Sequence, residues 1–324
     1  MDGMRAITIP EFGSADVLRL DEAEAPEPGQ GQVSIDVAYA GANFAEILYR
    51  QGVVDVPLPF VPGIEVSGRI RALGSGVEGL SIGQPVAALT IVDGGGYAEV
   101  VTTSADLVAP LDNHDRLELD VAAALPSNST TAFLVLDRVA RIAPGEDVLV
   151  HAAAGGVGSQ LGQAARLLGA GRVVGAVGSP AKIEAAKAFG YDEVVLREQV
   201  AEAGQFDVVV DMVGGTARRS SLDLLAPMGR MVVMGNASGA EDVGISANDL
   251  WFTNKTVSGF NLAAFSAAFP EEAGRALRRA VAAAARGELR VRVESLPLEQ
   301  AAEAHRRIEA ARTTGKLVLE VERI

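Results

Sequence analysis

The sequence contains no cysteine, and this absence removes several kinds of chemistry at once. Without thiols the chain cannot form a disulfide, build a thiolate zinc site or use a cysteine nucleophile. Aromatic residues are also scarce, at 5%, whereas glycine is abundant, with 36 of 324 residues. This composition favours tight turns and close backbone approach, as in a turn-rich α/β enzyme.

Positive charge is in short supply as well. The 28 lysine and arginine residues face 42 acidic ones, which gives a net charge of -14. Such a surface repels nucleic acid and anionic membranes as a whole. The start lacks a basic region followed by an apolar run, and the longer apolar stretches are interrupted before they reach membrane-spanning length. We therefore predict a cytoplasmic protein with no nucleic-acid partner and no membrane partner.

The pattern of predicted secondary structure changes along the chain and divides it into two main regions. Residues 1–122 contain short strand-like runs between glycine-rich turns, which predicts a mostly β domain. Residues 123–265 repeat a strand, a glycine turn and a helix, the pattern of a doubly wound parallel sheet. Residues 266–324 contain two helical patterns and a last strand. We expect this tail to complete the first domain.

The stretch "HAAAGGVGSQ", residues 151–160, follows an apolar strand and opens a helix, with a second strand beyond. Within such a βαβ unit, a glycine-rich turn lets backbone amides at a helix N-terminus approach a pyrophosphate. A strand-to-helix turn without a ligand is the alternative. The residues predicted to hold the cofactor here are Ala154, Gly155, Gly156, Val157 and Gly158.

The end of the strand that follows the glycine-rich turn and its helix indicates whether the cofactor is NAD or NADPH. A carboxylate there would bind the ribose hydroxyls of NAD and repel a 2′-phosphate. Residues 175–182, "GAVGSPAK", contain no acidic residue. Instead Gly178, Ser179 and Lys182 offer backbone, hydroxyl and ammonium donors for a phosphate. The sequence thus favours NADPH, although Lys182 as an ordinary surface lysine is the alternative.

Several stretches together resemble a known family. They include "AGANFAEILYRQG" (40–52), "PFVPGIEVSG" (59–68), "AALPSNSTTAF" (123–133), "FDVVVDMVGG" (206–215) and "MGNASG" (234–239), beside the glycine-rich turn. The chain resembles the medium-chain dehydrogenase/reductase superfamily in its zinc-free quinone oxidoreductase, or zeta-crystallin-like, branch. The resemblance covers nearly the whole chain. It implies a Rossmann-type NADPH-binding domain and a GroES-like, mostly β catalytic domain.

The resemblance also bears on metal binding. By this resemblance, the positions of the three zinc ligands in the metal-dependent members correspond to Asn43, Ile64 and Ser127. These side chains do not make a strong zinc ligand set. We therefore predict no metal.

The same resemblance assigns roles near the nicotinamide. It places Asn43 beside the nicotinamide and its ribose, and the loop with Gly235 and Asn236 near the same half of the cofactor. Thr131, just after the third zinc-ligand place, is a candidate donor to a substrate oxygen. For Asn43 and the loop the alternative is a turn without a ligand, and for Thr131 it is packing. Two tyrosine places of the family hold Leu48 and Val54 instead, so the substrate pocket is altered.

These observations predict a zinc-independent, NADPH-dependent reductase of quinones or other α,β-unsaturated carbonyl compounds. The cofactor supplies the hydride, so the protein needs few ionisable catalysts. One alternative is an enoyl-thioester reductase of a biosynthetic pathway. Another is a non-catalytic NADPH-binding or RNA-binding crystallin-like protein. The family further implies a homodimer, formed through a sheet-edge strand in "NKTVSGF".

Overall fold

The computed structural model describes residues 3–111 and 117–321. The chain divides into two compact units. Unit 1 comprises residues 1–130, 262–287 and 291–324, and unit 2 comprises residues 131–261 and 288–290. The sequence placed the boundaries at 122 and 265. The first boundary between the compact units lies at residues 130 and 131, inside the helix Pro126–Phe133, eight residues after the change of pattern in the sequence.

Unit 1 consists mainly of strands. Its strands are β1 (Gly3–Thr8), β2 (Arg19–Glu24), β3 (Gln32–Ala42), β4 (Glu65–Leu73), β5 (Pro85–Leu89), β6 (Val100–Ser104), β7 (Val108–Pro110), β14 (Val293–Pro297) and β15 (Lys316–Glu320). Its helices are α1 (Phe44–Arg50), α2 (Leu119–Ala123), α8 (Leu262–Ala268), α9 (Pro270–Ala285) and α10 (Ala301–Glu309), and α3 (Pro126–Phe133) crosses the boundary.

The long strand β3 organises the large sheet of unit 1. The seven strands run in the order β14-β15-β3-β4-β5-β7, with β6 also paired to β3. Pairing of β3 with β15, β4 and β6 is antiparallel throughout. Buried valine and isoleucine side chains such as Val33, Ile35 and Val66 form its core. This arrangement brings the start of β15 beside the end of β3, where Leu317 pairs with Ala42.

Unit 2 alternates strands and helices. The strands are β8 (Val148–His151), β9 (Val173–Val177), β10 (Glu193–Leu196), β11 (Phe206–Asp211), β12 (Leu225–Val233) and β13 (Thr256–Gly259). The helices are α4 (Gly156–Leu167), α5 (Ile183–Lys187), α6 (Gly215–Asp223) and α7 (Ala247–Thr253), preceded by a π-helical turn over Leu134–Val139.

The six strands of unit 2 are parallel and run in the order β10-β9-β8-β11-β12-β13. This is the doubly wound order in which a dinucleotide lies at the carboxyl ends of the strands, where the winding reverses beside the first strand. The predicted fold class is confirmed: the chain has a unit with a Rossmann-type parallel sheet and a second, mostly β unit. In the part of the chain that the structure describes, no helix has both the length and the apolar character needed to cross a membrane.

Candidate functional site

The glycine-rich turn of unit 2 leads from β8 into α4. Gly155 is the N-cap residue of the helix and, as glycine, supplies no side-chain cap to the amides of the first turn. Those amides have no partner within the helix, so they are available to an anion. Gly158 packs against the turn itself, since a Cβ at this position would lie 2.2 Å from the carbonyl oxygen of Ala152. The turn therefore needs glycine at 158 and presents backbone donors to a ligand.

The carboxyl ends of β9 and β10 bring two cations together. Ser179 begins the turn after β9, and its side chain makes no capping hydrogen bond. Lys182 follows half-buried, and its pKa is lowered by burial and, secondarily, by the nearby charge of Arg197. A Cβ at Gly178 would lie 3.4 Å from Nη2 of Arg197. Two of the predicted cofactor residues, Gly178 and Lys182, thus lie near Arg197, an arginine that the sequence did not point to, and Ser179 follows Gly178 in the chain.

A cavity of about 510 Å³ opens at the same strand ends. Its lining includes Gly178, Arg197 and Thr216, and its inner wall includes His151 and Ser221. Nε2 of His151 lies 2.7 Å from Oγ of Ser221, and that hydroxyl donates to the carbonyl of Ala217. Because the hydroxyl proton is already used, the histidine is the donor at Nε2.

The other nitrogen of His151, Nδ1, is buried and has no hydrogen-bond partner among the described residues. Burial lowers the pKa of His151 to about 4, against an opposing effect of Asp211. The imidazole is therefore neutral near pH 7, with Nδ1 as an acceptor. In this position His151 supports the wall of the cavity rather than carrying charge.

A buried ion pair holds the loops that follow β11 and β12. Asp211 accepts hydrogen bonds from the backbone N–H groups of Val213 (2.8 Å) and Gly214 (3.0 Å). Its other oxygen accepts from Nε of Arg218 at 2.8 Å. The same guanidinium donates to the carbonyl of Gly235 at 2.6 Å. The predicted cofactor residue Gly235 is thereby tied to the end of the neighbouring strand.

Asn236 is used within its own loop. Its side-chain amide donates to the carbonyl of Ala240 at 2.7 Å, and its Oδ1 accepts from the hydroxyl of Ser238 at 3.1 Å. A Cβ on Gly214 would lie 2.1 Å from that Oδ1, so the two loops touch only because residue 214 is glycine. The side chain of Asn236 therefore shapes the loop, and the exposed backbone of Gly235 and Asn236 is what remains for a ligand.

In unit 1, the three places that the resemblance assigns to zinc ligands meet two buried carboxylates. Nδ2 of Asn43 donates to Glu65 at 2.9 Å, and the backbone N–H of Ser127 donates to the other oxygen of Glu65 at 2.7 Å. The backbone N–H of Ile64 donates to Glu46 at 3.2 Å. Side chains of both acids are fully buried.

A lysine neutralises this cluster. The ammonium of Lys316, at the start of β15, forms an ion pair with Glu65 and donates to Oδ1 of Asn43. Lys316 is only 3% exposed. Room for Glu65 comes from Gly41, where a Cβ would lie 2.3 Å from the carboxylate oxygen. We refer to Asn43, Glu46, Glu65 and Lys316 as the lysine–carboxylate cluster.

Glu46 is the titrating member of the lysine–carboxylate cluster. Burial raises its pKa to about 7, although the charge of Lys316 acts in the opposite direction. Glu46 also accepts from the backbone N–H of Asn43 at 3.1 Å, at the first turn of α1. Asn43 therefore lies at the start of a helix, which is compatible with the alternative of a turn without a ligand. It also contacts the buried charges of this cluster.

This donor set does not fit zinc. Ile64 has no donor atom, the amide oxygen of Asn43 already accepts from an ammonium, and Ser127 contributes its backbone N–H. Residues 3–111 and 117–321 contain no group of three or more His, Cys, Asp or Glu side chains arranged to hold a metal ion. The cation present in the geometry of the cluster is Lys316.

Comparison with known proteins agrees with this description. Residues 29–113 match the alcohol dehydrogenase GroES-like domain family, and residues 183–319 match the zinc-binding dehydrogenase family. A human synaptic vesicle membrane protein VAT-1 homolog-like is 34% identical over 351 residues, covering 99% of this chain and 81% of the relative. A quinone oxidoreductase of Pseudomonas aeruginosa is 31% identical, covering 97% of this chain and 99% of the relative.

The chain belongs to the medium-chain dehydrogenase/reductase superfamily, in its zinc-free quinone oxidoreductase branch. A solved structure of Escherichia coli quinone oxidoreductase complexed with NADPH is similar over 98% of this chain and 99% of that chain, with a TM-score of 0.88 and 29% identity. Although the second matching family is called zinc-binding, the three zinc-ligand places of the superfamily hold Asn43, Ile64 and Ser127 here, and each of them donates a hydrogen bond to Glu46 or Glu65.

Thr131 lies in α3, one helical turn after Ser127, and is 4% exposed. The division of the chain assigns it to unit 2, whereas Ser127 belongs to unit 1. Its neighbour Thr130 has a buried hydroxyl without a hydrogen-bond partner among the described residues. The role of Thr131 toward a substrate stays a prediction.

Four functional candidates escaped the sequence analysis: Glu46, Glu65, Lys316 and Arg197. A signal existed for one of them, because Lys316 directly precedes the apolar run Leu317, Val318 and Leu319 of β15. A charged residue at such a place is a liability unless it is paired. Pairing partners so far apart in the sequence could not be identified from one sequence.

Proposed function

We propose that this member of the medium-chain dehydrogenase/reductase superfamily is a zinc-independent, NADPH-dependent reductase of quinones or other α,β-unsaturated carbonyl compounds. The observation that carries the proposal is the glycine turn of unit 2 with an acid-free strand end and two cations beside it. Relatives named quinone oxidoreductase, one of them solved with NADPH, support both the cofactor and the substrate class.

Each part of the nucleotide has a matching set of donors in unit 2. The first-turn amides of α4 at Gly156, Val157 and Gly158 bind the pyrophosphate. Ser179, Lys182 and Arg197 bind the 2′-phosphate, because charge-assisted hydrogen bonds suit a dianion. The cavity beside Gly178 takes the adenosine end. The backbone at Gly235 and Asn236 supports the nicotinamide half.

When bound, NADPH supplies a hydride to the acceptor carbon. The protein's task is then to hold the acceptor and to stabilise the negative charge that develops on its oxygen. Asn43 positions the acceptor in unit 1, and Thr131 is a candidate donor to its oxygen. Zinc takes no part, because Asn43, Ile64 and Ser127 do not offer a ligand set.

A titration and a substrate panel test this function. NADPH fluorescence should change on binding at micromolar protein, and NADH should bind more weakly, because it lacks the 2′-phosphate. NADPH consumption is then compared for a naphthoquinone, a simple enone and crotonyl-CoA. Turnover of crotonyl-CoA alone would instead support an enoyl-thioester reductase. Absence of NADPH binding would contradict the proposal, and NADPH binding without turnover of any acceptor would support a non-catalytic protein.

We also propose that the protein is a homodimer formed through β13. This strand is the last in the sheet order of unit 2, so its outer edge carries unpaired backbone groups. Met228, Trp251 and Phe252 precede it in the chain and are 70%, 71% and 73% exposed. Light scattering should give twice the 33.5 kDa chain mass, and Trp251→Ser with Phe252→Ser should shift the protein toward monomer. A monomeric wild type would contradict this assembly.

The cytoplasm remains our proposed location. Relatives named synaptic vesicle membrane proteins make membrane association the alternative to test. Flotation with anionic and neutral vesicles should leave the protein in the soluble fraction, because its net charge of -14 disfavours an anionic surface. Co-flotation with either vesicle would contradict this location.

A further inference from the structure

The contacts of Lys316 define the orientation of Asn43. An ammonium carries three donors and no acceptor, so it can contact only the oxygen of a neighbouring amide. Lys316 lies against Oδ1 of Asn43, which directs Nδ2 toward Glu65 at 2.9 Å. The amide oxygen and nitrogen are therefore assigned by chemistry, and Lys316 touches the very residue proposed to position the acceptor.

The hydrogen bonds of Glu65 are also accounted for. One oxygen accepts from Lys316 and Asn43, and the other accepts from the backbone N–H of Ser127 at 2.7 Å. Lys316 in turn donates to Asn43 and Glu65. These contacts use two of its three N–H groups, and the third has no acceptor in the part of the chain that the structure describes. The described contacts of the buried Lys316 ammonium thus leave one N–H beside Asn43 without an acceptor.

We propose that Lys316 is a catalytic residue that donates this third N–H to the carbonyl oxygen of the acceptor. The proposal rests on the function proposed above. During reduction a C–H bond forms at the acceptor carbon with the electron pair of the C–H bond that breaks in NADPH, leaving NADP⁺, and the π electrons move so that the carbonyl oxygen becomes an enolate anion. For a quinone, this enolate reaches the hydroquinone by a later proton shift. Lys316 keeps its three protons and stabilises this anion, which later takes a proton from water.

Glu65 has a positioning role in this arrangement. Its ion pair holds the ammonium at Asn43 and offsets the burial of the positive charge. A fixed cation already in place stabilises a developing oxyanion without reorganisation at the moment of reaction. The competing explanation is that Lys316 only neutralises Glu65 and touches no substrate.

The test uses the double variant Lys316→Met with Glu65→Gln, which removes both charges and nearly preserves volume. Loss of one partner alone would leave a buried charge unpaired and threaten folding, whereas the double variant avoids this. We expect the double variant to bind NADPH, since the pyrophosphate and 2′-phosphate contacts proposed above lie in unit 2, with at most a small loss of affinity through Asn43, which is predicted beside the nicotinamide. Simple enone reduction should fall by about 10²-fold or more, the usual effect of losing an oxyanion donor.

The acceptor series separates the two explanations. A quinone yields a stable anion and needs less help, so its reduction should fall by only about 10-fold, whereas a purely structural role would lower both rates equally. A control variant removes another ion pair of unit 1, Arg5 with Glu99 at 2.9 Å, as Arg5→Met with Glu99→Gln. This control should leave the enone-to-quinone rate ratio unchanged.

A binding measurement gives a readout without turnover. 4-Nitrophenol, an oxyanion mimic, is titrated against pH in the presence of protein and NADP⁺. Wild type should lower the pKa of the bound phenol, and the double variant should not. An unchanged enone-to-quinone ratio in a folded, NADPH-binding double variant overturns the role of Lys316, and so does an equal phenol pKa or failure of the phenol to bind wild type.

Two further outcomes are distinguishable. Should the double variant not fold, Lys316→Ala with added ethylammonium replaces it, and restored stability without a restored enone rate overturns the proposal. Should wild type fail to bind NADPH, the proposed function itself is wrong and the role of Lys316 is wrong with it.

Discussion

The two units build their candidate sites from different materials. In unit 2 the surface offered to the pyrophosphate and the nicotinamide half is backbone, at the first turn of α4 and at Gly235, with the buried pair Asp211 and Arg218 behind it. Only the 2′-phosphate is assigned to side chains there, those of Ser179, Lys182 and Arg197. In unit 1 the buried charges of Glu65 and Lys316 themselves touch Asn43. The comparison suggests a division of tasks. Backbone amides are suited to binding the pyrophosphate, which is the same in many enzymes, whereas buried side-chain charges are suited to stabilising the acceptor of one particular reaction.

Removing the buried charge behind the loops of unit 2 should have the largest effect. Asp211→Ala leaves the Arg218 guanidinium buried without its main partner and is expected to lower the free energy of unfolding by about 3–5 kcal/mol. Asp242→Ala removes the exposed partner of the same guanidinium, at 2.8 Å, and should cost about 1 kcal/mol or less. Urea denaturation followed by circular dichroism measures both. Equal losses would show that burial does not distinguish the two carboxylates.

Titration of Glu46 should have the next largest effect, on the charged site of unit 1. Its pKa is about 7 in the folded state against 4.5 as the reference, so the folded state binds the proton more tightly. Its contribution to stability is therefore present below about pH 4.5 and lost as the pH rises to about 7, by up to about 3 kcal/mol.

The variant Glu46→Gln isolates that contribution. The free energy of unfolding is measured for wild type and variant at several pH values from 4.5 to 8. The difference between the two proteins removes effects of His151 and His305, whose pKa values burial lowers and which act in the opposite direction. The wild type should lose stability relative to the variant as the pH rises. A constant difference would show that Glu46 does not titrate in this range.

Glycine 158 tests the claim that backbone forms the cofactor site. Gly158→Ala forces the new Cβ against the Ala152 carbonyl, so the turn must shift, and NADPH should bind at least about 100-fold more weakly, or about 2.7 kcal/mol. Gly244→Ala is the control, because a Cβ there meets no atom within 4 Å. Fluorescence titration gives both affinities. Wild-type affinity in the Gly158 variant would contradict the backbone cradle.

The cations beside β9 and β10 should have the smallest effect, limited to cofactor choice. Lys182→Ala and Arg197→Ala should each weaken NADPH binding by about 10-fold, or about 1.4 kcal/mol, and leave NADH binding unchanged. Lys187→Ala, which removes an exposed lysine paired with Glu184, is the matched control. If NADPH and NADH affinities fall together, the two cations do not read the 2′-phosphate.

The sequence alone was sufficient to predict the fold class and the glycine-rich cofactor turn, because both depend on which residues and elements follow one another along the chain. Glycines 155, 156 and 158 lie within four positions, between a strand and a helix, and their spacing carries the phosphate chemistry. The resemblance likewise identified Asn43. It did not show that the amide of Asn43 is held between an ammonium and a carboxylate.

The rest depends on strand pairing between distant segments. Lys316 and Asn43 are separated by 273 positions and meet because β15 pairs with β3. Arg197 joins Lys182 because β10 pairs with β9, a pairing that leaves no mark in residues 175–182. The domain boundary was displaced for a similar reason, since α3 continues through it. Contacts of this kind follow from the order in which the strands pair in the sheet, and that order could not be identified from one sequence.

The pairing of β15 with β3 also sets an order of events in folding. Unit 2 is nearly continuous, whereas the lysine–carboxylate cluster joins segments from opposite sides of that insertion. The entropic cost of closing a loop rises only slowly with its length, but contacts of high sequence separation slow folding. During synthesis the cofactor turn can therefore fold while Glu65 still lacks its cation. We therefore expect the nucleotide unit to form first and unit 1 to be completed by the arrival of its last strand, β15.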